Sequence, residues 1–371
     1  MKRILIIQES LNGGGAENVL TELINNIDYN RVDVTLLLIN YNGIYTKLIN
    51  SKIKKLYIYK HQRPLFKRIL AHTTLIDCIE KQEIKKIIKE KEFDVIISFM
   101  EGITLKYHSY IVTHAPLNIT WIHSNLIINS WTSKVFQCYE KELKCYNLMD
   151  KIIFVSEQAK ESFNRKFQTA CTNQYVLYNI INKNKIQLLS NKESINKRKF
   201  TICNVARLAA IKKQDRLIKA IKILIDKGCD IELWILGTGN EFHKLKKLVS
   251  ELSLTEIVQF KGFQTNPYPY IKASDVFVLS SDTEGYPTVI CEALCLGKPI
   301  VSTKITGCTE LLGDNEYGIL TELSEQAIAD AIYELYNSKE KILWLQQKAI
   351  ERSKCFSIEN TINEFYNVIG V

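Results

Sequence analysis

The sequence predicts an α/β protein made of two parallel-sheet domains, and three observations carry that prediction. Short apolar runs alternate with stretches of helical periodicity along nearly the whole chain, the order that crossover connections impose on a parallel sheet. At 371 residues the chain exceeds the usual size of one core, and its 46% hydrophobic content is enough for two. Between residues 183 and 199 periodicity gives way to a polar, lysine-rich stretch that reads as a linker. The expected domains are 1–182 and 200–355.

The first half opens with a strand over Lys2 to Gln8, a loop containing Gly13, Gly14 and Gly15, and a helix from Ala16 to about Ile27. A glycine loop between strand and helix lets backbone approach a phosphate, although a plain tight turn has the same composition. The third glycine of a dinucleotide fingerprint is replaced by Asn18, and the second strand, Val32 to Ile39, ends in Asn40, Tyr41 and Asn42 without an acidic residue. Both features disfavour NAD. Ile53 to Tyr59 reads as a third strand, Pro64 to Glu90 as one or two amphipathic helices, and Val95 to Phe99, Ile119 to Ile122 and Lys151 to Val155 as further strands. His123 ends one of these, in NITWIH, at the sheet edge where α/β sites form; a structural histidine fits there as well.

In the second half, strands are expected at Phe200 to Ala206, Ile231 to Leu236, Ile257 to Phe260, Asp275 to Ser280 and Pro299 to Ser302, with helical pattern from Ser324 to Val371. Arg207 and Lys212 fall just past the first of them, as surface residues or as an anion clamp. The chain is organised around Ser281 to Thr303. Gly285 permits a turn, Pro287 suits a first helical position, and a helix is expected from near Tyr286 to about Leu296, where Gly297 stops it. The amides of Tyr286, Thr288 and Val289 would then lack intrahelical acceptors at the positive end of the helix dipole, a site suited to a diphosphate. Glu284 lies in the loop and Glu292 about one and a half turns into the helix. Each has an ordinary reading as a solvated carboxylate, but Glu292 sits among Ile290, Cys291, Ala293 and Leu294, where an unpaired charge is costly. A buried Glu there requires hydroxyl donors.

Composition excludes several classes. The net charge is +9, and residues 47–91 hold 13 Lys and Arg against 4 Asp and Glu, which accounts for the whole excess. The basic character is local, and without a recognisable binding motif it does not indicate nucleic acid. The ten cysteines, without a signal-peptide pattern at the N-terminus, point to a reducing cytoplasm, and no metal-ligand spacing accompanies Cys291 and Cys295. Nowhere do about 18 apolar residues run together, so no membrane span is expected.

Glu284 and Glu292, in the frame EGYPTVICEALCLGKPIV, resemble the donor-site signature of the retaining nucleotide-sugar glycosyltransferases of family 4, whose two Rossmann-like domains face each other across a deep donor-binding cleft (the GT-B fold). NVARLAAIKKQD is similar to that family's segment bearing the diphosphate-binding Arg and Lys, here Arg207 and Lys212. WILGTGNEFHKLKKLV, VQFKGF and TGCTELLGDNEYGIL resemble its neighbouring units. The likeness covers nearly all of residues 200–320 and, more thinly, the N-terminal half. Two departures stand out: Ala206 replaces the family's usual Gly, and Lys213 the Gly after the lysine.

The resemblance implies a catalytic set of His123, Glu284, Arg207 and Lys212. It implies a donor site formed by Gly14, Gly15, Arg207, Lys212, Phe263, Glu284, Gly285, Tyr286, Pro287, Thr288, Val289 and Glu292. In it Glu284 meets the sugar hydroxyls, Glu292 the nucleotide ribose, and His123 the sugar near its anomeric carbon. It also implies that a last helix, about 356–371, crosses back onto the first domain, with Phe356, Phe365 and Tyr366 as anchors. The expected reaction moves a hexose or N-acetylhexosamine from a nucleoside-diphosphate sugar, UDP first, to a glycan or polyprenyl-diphosphate-linked acceptor in bacterial surface polysaccharide synthesis. No cofactor and no metal are expected. The alternatives are a sugar-nucleotide epimerase, a phosphorylase of the same fold, or a non-catalytic sugar-nucleotide-binding partner subunit. Leu65, Phe66, Ile69 and Leu70 among lysines suit a helix on an anionic inner-leaflet surface, with Lys67, Arg68, Lys85 and Lys86 at the headgroups. The expected location is cytoplasmic, peripheral on the inner face of the plasma membrane.

Overall fold

The structure, a computed structural model, describes residues 1–41, 43–60, 74–89, 91–128 and 130–371. They divide into two units, Met1–Ile180 with Ile358–Val371, and Ile181–Ser357.

The first unit is built on seven parallel strands, β1 (Lys2–Gln8), β2 (Val32–Asn40), β3 (Lys54–Tyr59), β4 (Val95–Ser98), β5 (Leu117–Ile122), β6 (Lys151–Phe154) and β7 (Gln174–Val176). Their order is β3-β2-β1-β4-β5-β6-β7. Ile4 to Ile7 are all buried, as a strand covered on both faces requires, and each such side chain contributes about 1.5–3 kcal/mol. The chain winds outward from β1 to β3 and then returns to start β4 on the other side of β1. That reversal leaves the ends of β1 and β4 diverging, with the glycine loop after one and Glu101 after the other.

The second unit repeats the device with β8 (Phe200–Val205), β9 (Ile231–Leu236), β10 (Val258–Gly262), β11 (Val276–Leu279), β12 (Ile300–Thr303) and β13 (Ile319–Thr321), in the order β10-β9-β8-β11-β12-β13. Its core joins Ile202, Leu233, Val278 and Val301 of the sheet to Leu217 and Ile221 of the helix Gln214–Asp226 and Ile328 and Ile332 of the helix Glu325–Asn337. Here the reversal falls between β8 and β11. The loops carrying Arg207, Lys212 and Glu284 therefore start from adjoining strand ends.

The helix Ile358–Ile369 belongs to the first unit. Phe365 stacks on Trp121 of β5, with ring centroids 6.3 Å apart. The Tyr366 hydroxyl accepts from the Asp28 amide at 2.6 Å, and Arg31 lies 4.0 Å over the Tyr366 ring. Lys2 donates to the carbonyls of Ile369 and Gly370 and Lys151 to that of Val368, each at 2.7 Å, so cations sit where the helix dipole is negative. Phe356, also expected as an anchor, precedes the helix and falls in the second unit.

Two other expectations change. Residues 183–199 are not a linker throughout: Lys183–Ser190 is a helix of the second unit, capped by the Asn182 side chain, which accepts from the Lys185 amide at 3.0 Å. Ile186 is buried, and Lys183 donates to Ser353 Oγ at 2.9 Å, so tertiary contacts supply what a weak apolar pattern does not. The strands β7 and β13, three residues each, are too short to show a period. Within the helix Thr74–Ile88, Ile84 and Ile88 pack into the core with Leu5, Ile96 and Tyr107, and Lys85 and Lys86 are exposed. Leu65, Phe66, Lys67, Arg68, Ile69 and Leu70 lie outside the described residues. Among the described residues no helix is long and apolar enough to cross a membrane.

Beneath this sheet His108 is fully buried, its ring nitrogens 3.1 Å from Ser98 Oγ and 3.1 Å from Asn118 Oδ1. Burial pulls its pKa from 6.5 down to about 4, against the Asn118 hydrogen bond and the charge of Asp150. The unfolded chain thus binds this proton more readily than the folded one. Stability is full above the unfolded pKa and is lost as pH falls from 6.5 toward about 4, by on the order of 3 kcal/mol. Urea unfolding followed over that range should show a steeper pH dependence in the wild type than in His108→Gln; identical slopes would count against the buried neutral imidazole.

Candidate functional site

The second unit's site is built from two loops that grip each other. After β8 the chain runs through Arg207 into a short turn, Ala210–Lys212, and after β11 it runs through Ser281 to Pro287 into the helix Thr288–Cys295. The Asp282 amide donates to the Ile211 carbonyl at 2.9 Å, and Ser280 Oγ donates to the Lys212 carbonyl at 3.0 Å. Arg216 reaches across to the Ser280 carbonyl at 2.9 Å and to Asp282 at 2.7 Å. From the β12 side, Thr303 Oγ1 donates to the Ser281 carbonyl at 2.6 Å.

Within this frame Lys212 and Glu284 form a two-point ion pair, with Nζ 2.6 and 2.7 Å from the two carboxylate oxygens, and Ser281 Oγ donates to one of them at 2.7 Å. The side chains are 21% and 13% exposed, so water screens the pair less than it would a surface bridge. Lys213, which stands where the resembled family has glycine, adopts a left-handed conformation with φ 50°. The loop keeps the shape that glycine would favour. A residue with a Cβ is held there at a cost of about 1–2 kcal/mol, partly offset by the approach of its Nζ to Asp282 at 3.4 Å.

Arg207 is exposed and is held from beneath by the segment after β9. A Cβ on Gly237 would sit 2.0 Å from the Ala206 carbonyl oxygen, and one on Gly239 would sit 2.1 Å from that of Leu208. These two glycines let the Thr238 carbonyl accept from the Leu208 amide at 2.9 Å, which fixes the backbone on either side of Arg207. Phe263, just past β10, is 42% exposed.

The helix begins at Thr288, two residues later than the sequence suggests. Pro287 has φ −72° but ψ 102°, so it caps the helix rather than entering it, and Thr288 and Val289 lead its free end. Gly307, at φ 77°, packs beneath: a Cβ there would meet the Gly285 carbonyl oxygen at 2.5 Å. Gly285, Tyr286, Pro287 and Thr288 are buried, and Glu292 is 7% exposed, with the Tyr268 hydroxyl 3.4 Å from its Oε1. The hydroxyl donor expected for this carboxylate thus comes from another helix. Burial pushes the Cys291 thiol well up and that of Cys295 to about 12, so both are unreactive apolar packing.

The remaining candidates belong to the first unit. Gly14 caps the helix Gly15–Asn26, and its amide donates to the Glu17 carboxylate, which also accepts from Ser10 Oγ at 3.2 Å. His123 directly follows β5, with its ring 4.9 Å from Phe99 and 5.8 Å from Trp121. Burial pulls its pKa from 6.5 down to about 3, against a hydrogen bond to the Phe99 carbonyl, so the ring is neutral near pH 7. Among the described residues its Nε2 has no partner. With the proton on the other nitrogen, Nε2 is a hydrogen-bond acceptor.

Glu101, missed in the sequence, is 1% exposed; it accepts from the His123 amide at 2.8 Å and from Ser124 Oγ. Its signal was an acidic residue directly after the apolar run of β4, at the point where strand order reverses. The set Ser281, Asp282 and Arg216 was missed as well, because polar residues around a loop carry no period.

Comparisons with known proteins agree with this architecture. Residues 13–185 match the family model described as Glycosyltransferase Family 4, and residues 185–353 match that described as Glycosyl transferases group 1. An uncharacterised glycosyltransferase of Haemophilus influenzae is 26% identical over 376 residues, covering 100% of each chain. The Campylobacter jejuni N-acetylgalactosamine-N,N'-diacetylbacillosaminyl-diphospho-undecaprenol 4-alpha-N-acetylgalactosaminyltransferase is 27% identical over 371 residues, covering 96% of each chain. Among solved structures, Anabaena HepE in complex with UDP and glucose shares the fold with a TM-score of 0.77 at 19% identity, covering 100% of each chain.

Proposed function

We propose that this chain, which belongs to the glycosyltransferases of the GT-B fold, moves a hexose or N-acetylhexosamine from a UDP-sugar to an acceptor hydroxyl with retention at the anomeric carbon. The observation that carries the reading is the Lys212–Glu284 pair at 2.6 Å, which joins the loop that leads into the helix starting at Thr288 to the loop that also carries exposed Arg207. Two cations and a helix N-terminus suit a diphosphate, and carboxylates suit sugar and ribose hydroxyls.

In this reading the bond between the anomeric carbon and the diphosphate oxygen breaks, and negative charge grows on the departing UDP. Arg207, Lys212 and the amides of Thr288 and Val289 stabilise that charge, and they do so without a divalent metal. The acceptor oxygen bonds to the anomeric carbon on the face the diphosphate leaves, and its proton passes to a diphosphate oxygen. Glu284 orients the sugar, Glu292 the ribose, and the neutral His123 accepts from a sugar hydroxyl. The glycine loop at Gly14 and Gly15 closes over donor phosphate and sugar, and Phe263 lies against the nucleotide. Like the Campylobacter relative's named substrate, the acceptor we infer is a glycan on polyprenyl diphosphate, met at an anionic membrane surface.

Calorimetry with UDP tests the donor site. Arg207→Ala and Lys212→Ala should each weaken binding by on the order of 1.5–3 kcal/mol. Glu292→Gln should weaken it too, Glu284→Gln should leave it nearly unchanged while slowing transfer, and wild-type affinity should be the same in EDTA as in manganese. Wild-type affinity in both cation variants would reject the clamp, and binding that requires manganese would reject the metal-free reading. For the acceptor, transfer to a synthetic polyprenyl-diphosphate-linked sugar should exceed transfer to the same sugar free in solution. Equal use of the two would remove the lipid carrier from the account.

A further inference from the structure

We propose that Glu101 is a positioning residue for the transfer reaction, fixing the turn His123–Ser124 so that the imidazole meets the donor sugar in one orientation. The proposal rests on the role given to His123 in the proposed function and adds a residue that acts through it.

Glu101 follows β4, and His123 follows β5, its neighbour in the sheet. One carboxylate oxygen of Glu101 accepts from the His123 amide at 2.8 Å, and the other accepts from Ser124 Oγ. Ser124 Oγ in turn accepts from the Trp131 indole at 3.3 Å. Gly102, at φ 77°, makes room for that indole, because a Cβ there would lie 2.5 Å from the Trp131 ring. The carboxylate therefore ties together two strand ends and a loop, and it is 1% exposed.

Two features separate positioning from simple stability. First, the hydrogen-bond partners of Glu101 are an amide, a hydroxyl and an indole, none of them a cation, and burial pushes its carboxyl up despite these bonds. Burying a carboxylate without a counter-ion is expensive, and an uncharged residue would hold the strands together at lower cost. Second, the His123 ring has little polar anchorage of its own. It is tied to the Phe99 carbonyl and flanked by Phe99 and Trp121, while Nε2 has no partner among the described residues. The backbone at His123 then sets where Nε2 points, and the Glu101 bond holds that backbone. Because both of its oxygens are occupied, Glu101 acts through His123 rather than on substrate.

The test is a double-mutant cycle on the full chain, with kcat and donor KM measured for Glu101→Gln, Glu101→Ala, His123→Ala and the two doubles, together with thermal unfolding. Glu101→Ala should lower kcat by about 100-fold, the scale of a 1 Å misplacement, with donor KM changed less than about two-fold. Glu101→Gln, which keeps an acceptor for the His123 amide, should recover most of that loss and melt at or above the wild-type temperature. In the His123→Ala background neither substitution should lower kcat further. Wild-type kcat in Glu101→Ala, or losses that add fully to that of His123→Ala, would overturn the proposal while leaving the role of His123 intact. Should Glu101→Ala fail to fold, Glu101→Asp, which draws the carboxylate back by one methylene from the His123 amide, takes its place in the same cycle, with the same expected loss of kcat that vanishes in the His123→Ala background. Wild-type kcat in His123→Ala would instead strike the role of His123, and this proposal with it.

Discussion

The second unit depends on the junction of the loops that leave β8 and β11. Its hydrogen bonds from the Asp282 amide to the Ile211 carbonyl and from Ser280 Oγ to the Lys212 carbonyl are each worth on the order of 1 kcal/mol net, and Arg216 adds charge-assisted contacts of about twice that strength to Ser280 and Asp282. Lys212 and Glu284 could not meet at 2.6 Å if either loop were free, since two long side chains would lose more entropy than an exposed pair returns. The junction in turn depends on strand order. β8 and β11 are neighbours because the chain reverses there, and the same reversal joins the loop leading into the helix Thr288–Cys295 to the loop carrying Arg207 and Lys212.

The glycines around this junction are positions of close approach. Gly237, Gly239 and Gly307 each leave space that a neighbouring carbonyl oxygen fills at 2.0 to 2.5 Å from where a Cβ would be. Lys213 shows the opposite solution, a left-handed residue that keeps its side chain and uses it on Asp282. In the first unit rings take over this part. Phe365 of the last helix backs Trp121, and Trp121 backs His123, so the chain's C-terminal helix supports a residue at the end of β5.

Most of the framework was legible because buried parallel strands are largely apolar runs: β1 and β9 have the bounds expected from the apolar runs at their centres. Glu284, Lys212 and Arg207 stood out as candidates because they lie at strand ends within a motif, but the Lys212–Glu284 pairing did not, since it depends on which strands become neighbours. Pro287 was misplaced by one step because its φ suits a helix while its ψ, which the sequence does not reveal, is extended. The helix Lys183–Ser190 and the carboxylate of Glu101 escaped for a common reason. Each is stabilised by partners far away in the chain, Ser353 for the first and His123 and Ser124 for the second. Local pattern carries no trace of such contacts.

In the proposed reaction the second unit binds a nucleoside-diphosphate sugar and the chain transfers its sugar with retention. The most direct test is to incubate the purified protein with UDP-, GDP- and ADP-sugars and an acceptor, measure the nucleotide released, and determine the anomeric configuration of the product by NMR. UDP should be released from a UDP-hexose or UDP-N-acetylhexosamine, with an axial donor linkage carried unchanged into the product. An inverted product would contradict retention, and no acceptor-dependent release from any of the three donor classes would contradict the transfer itself.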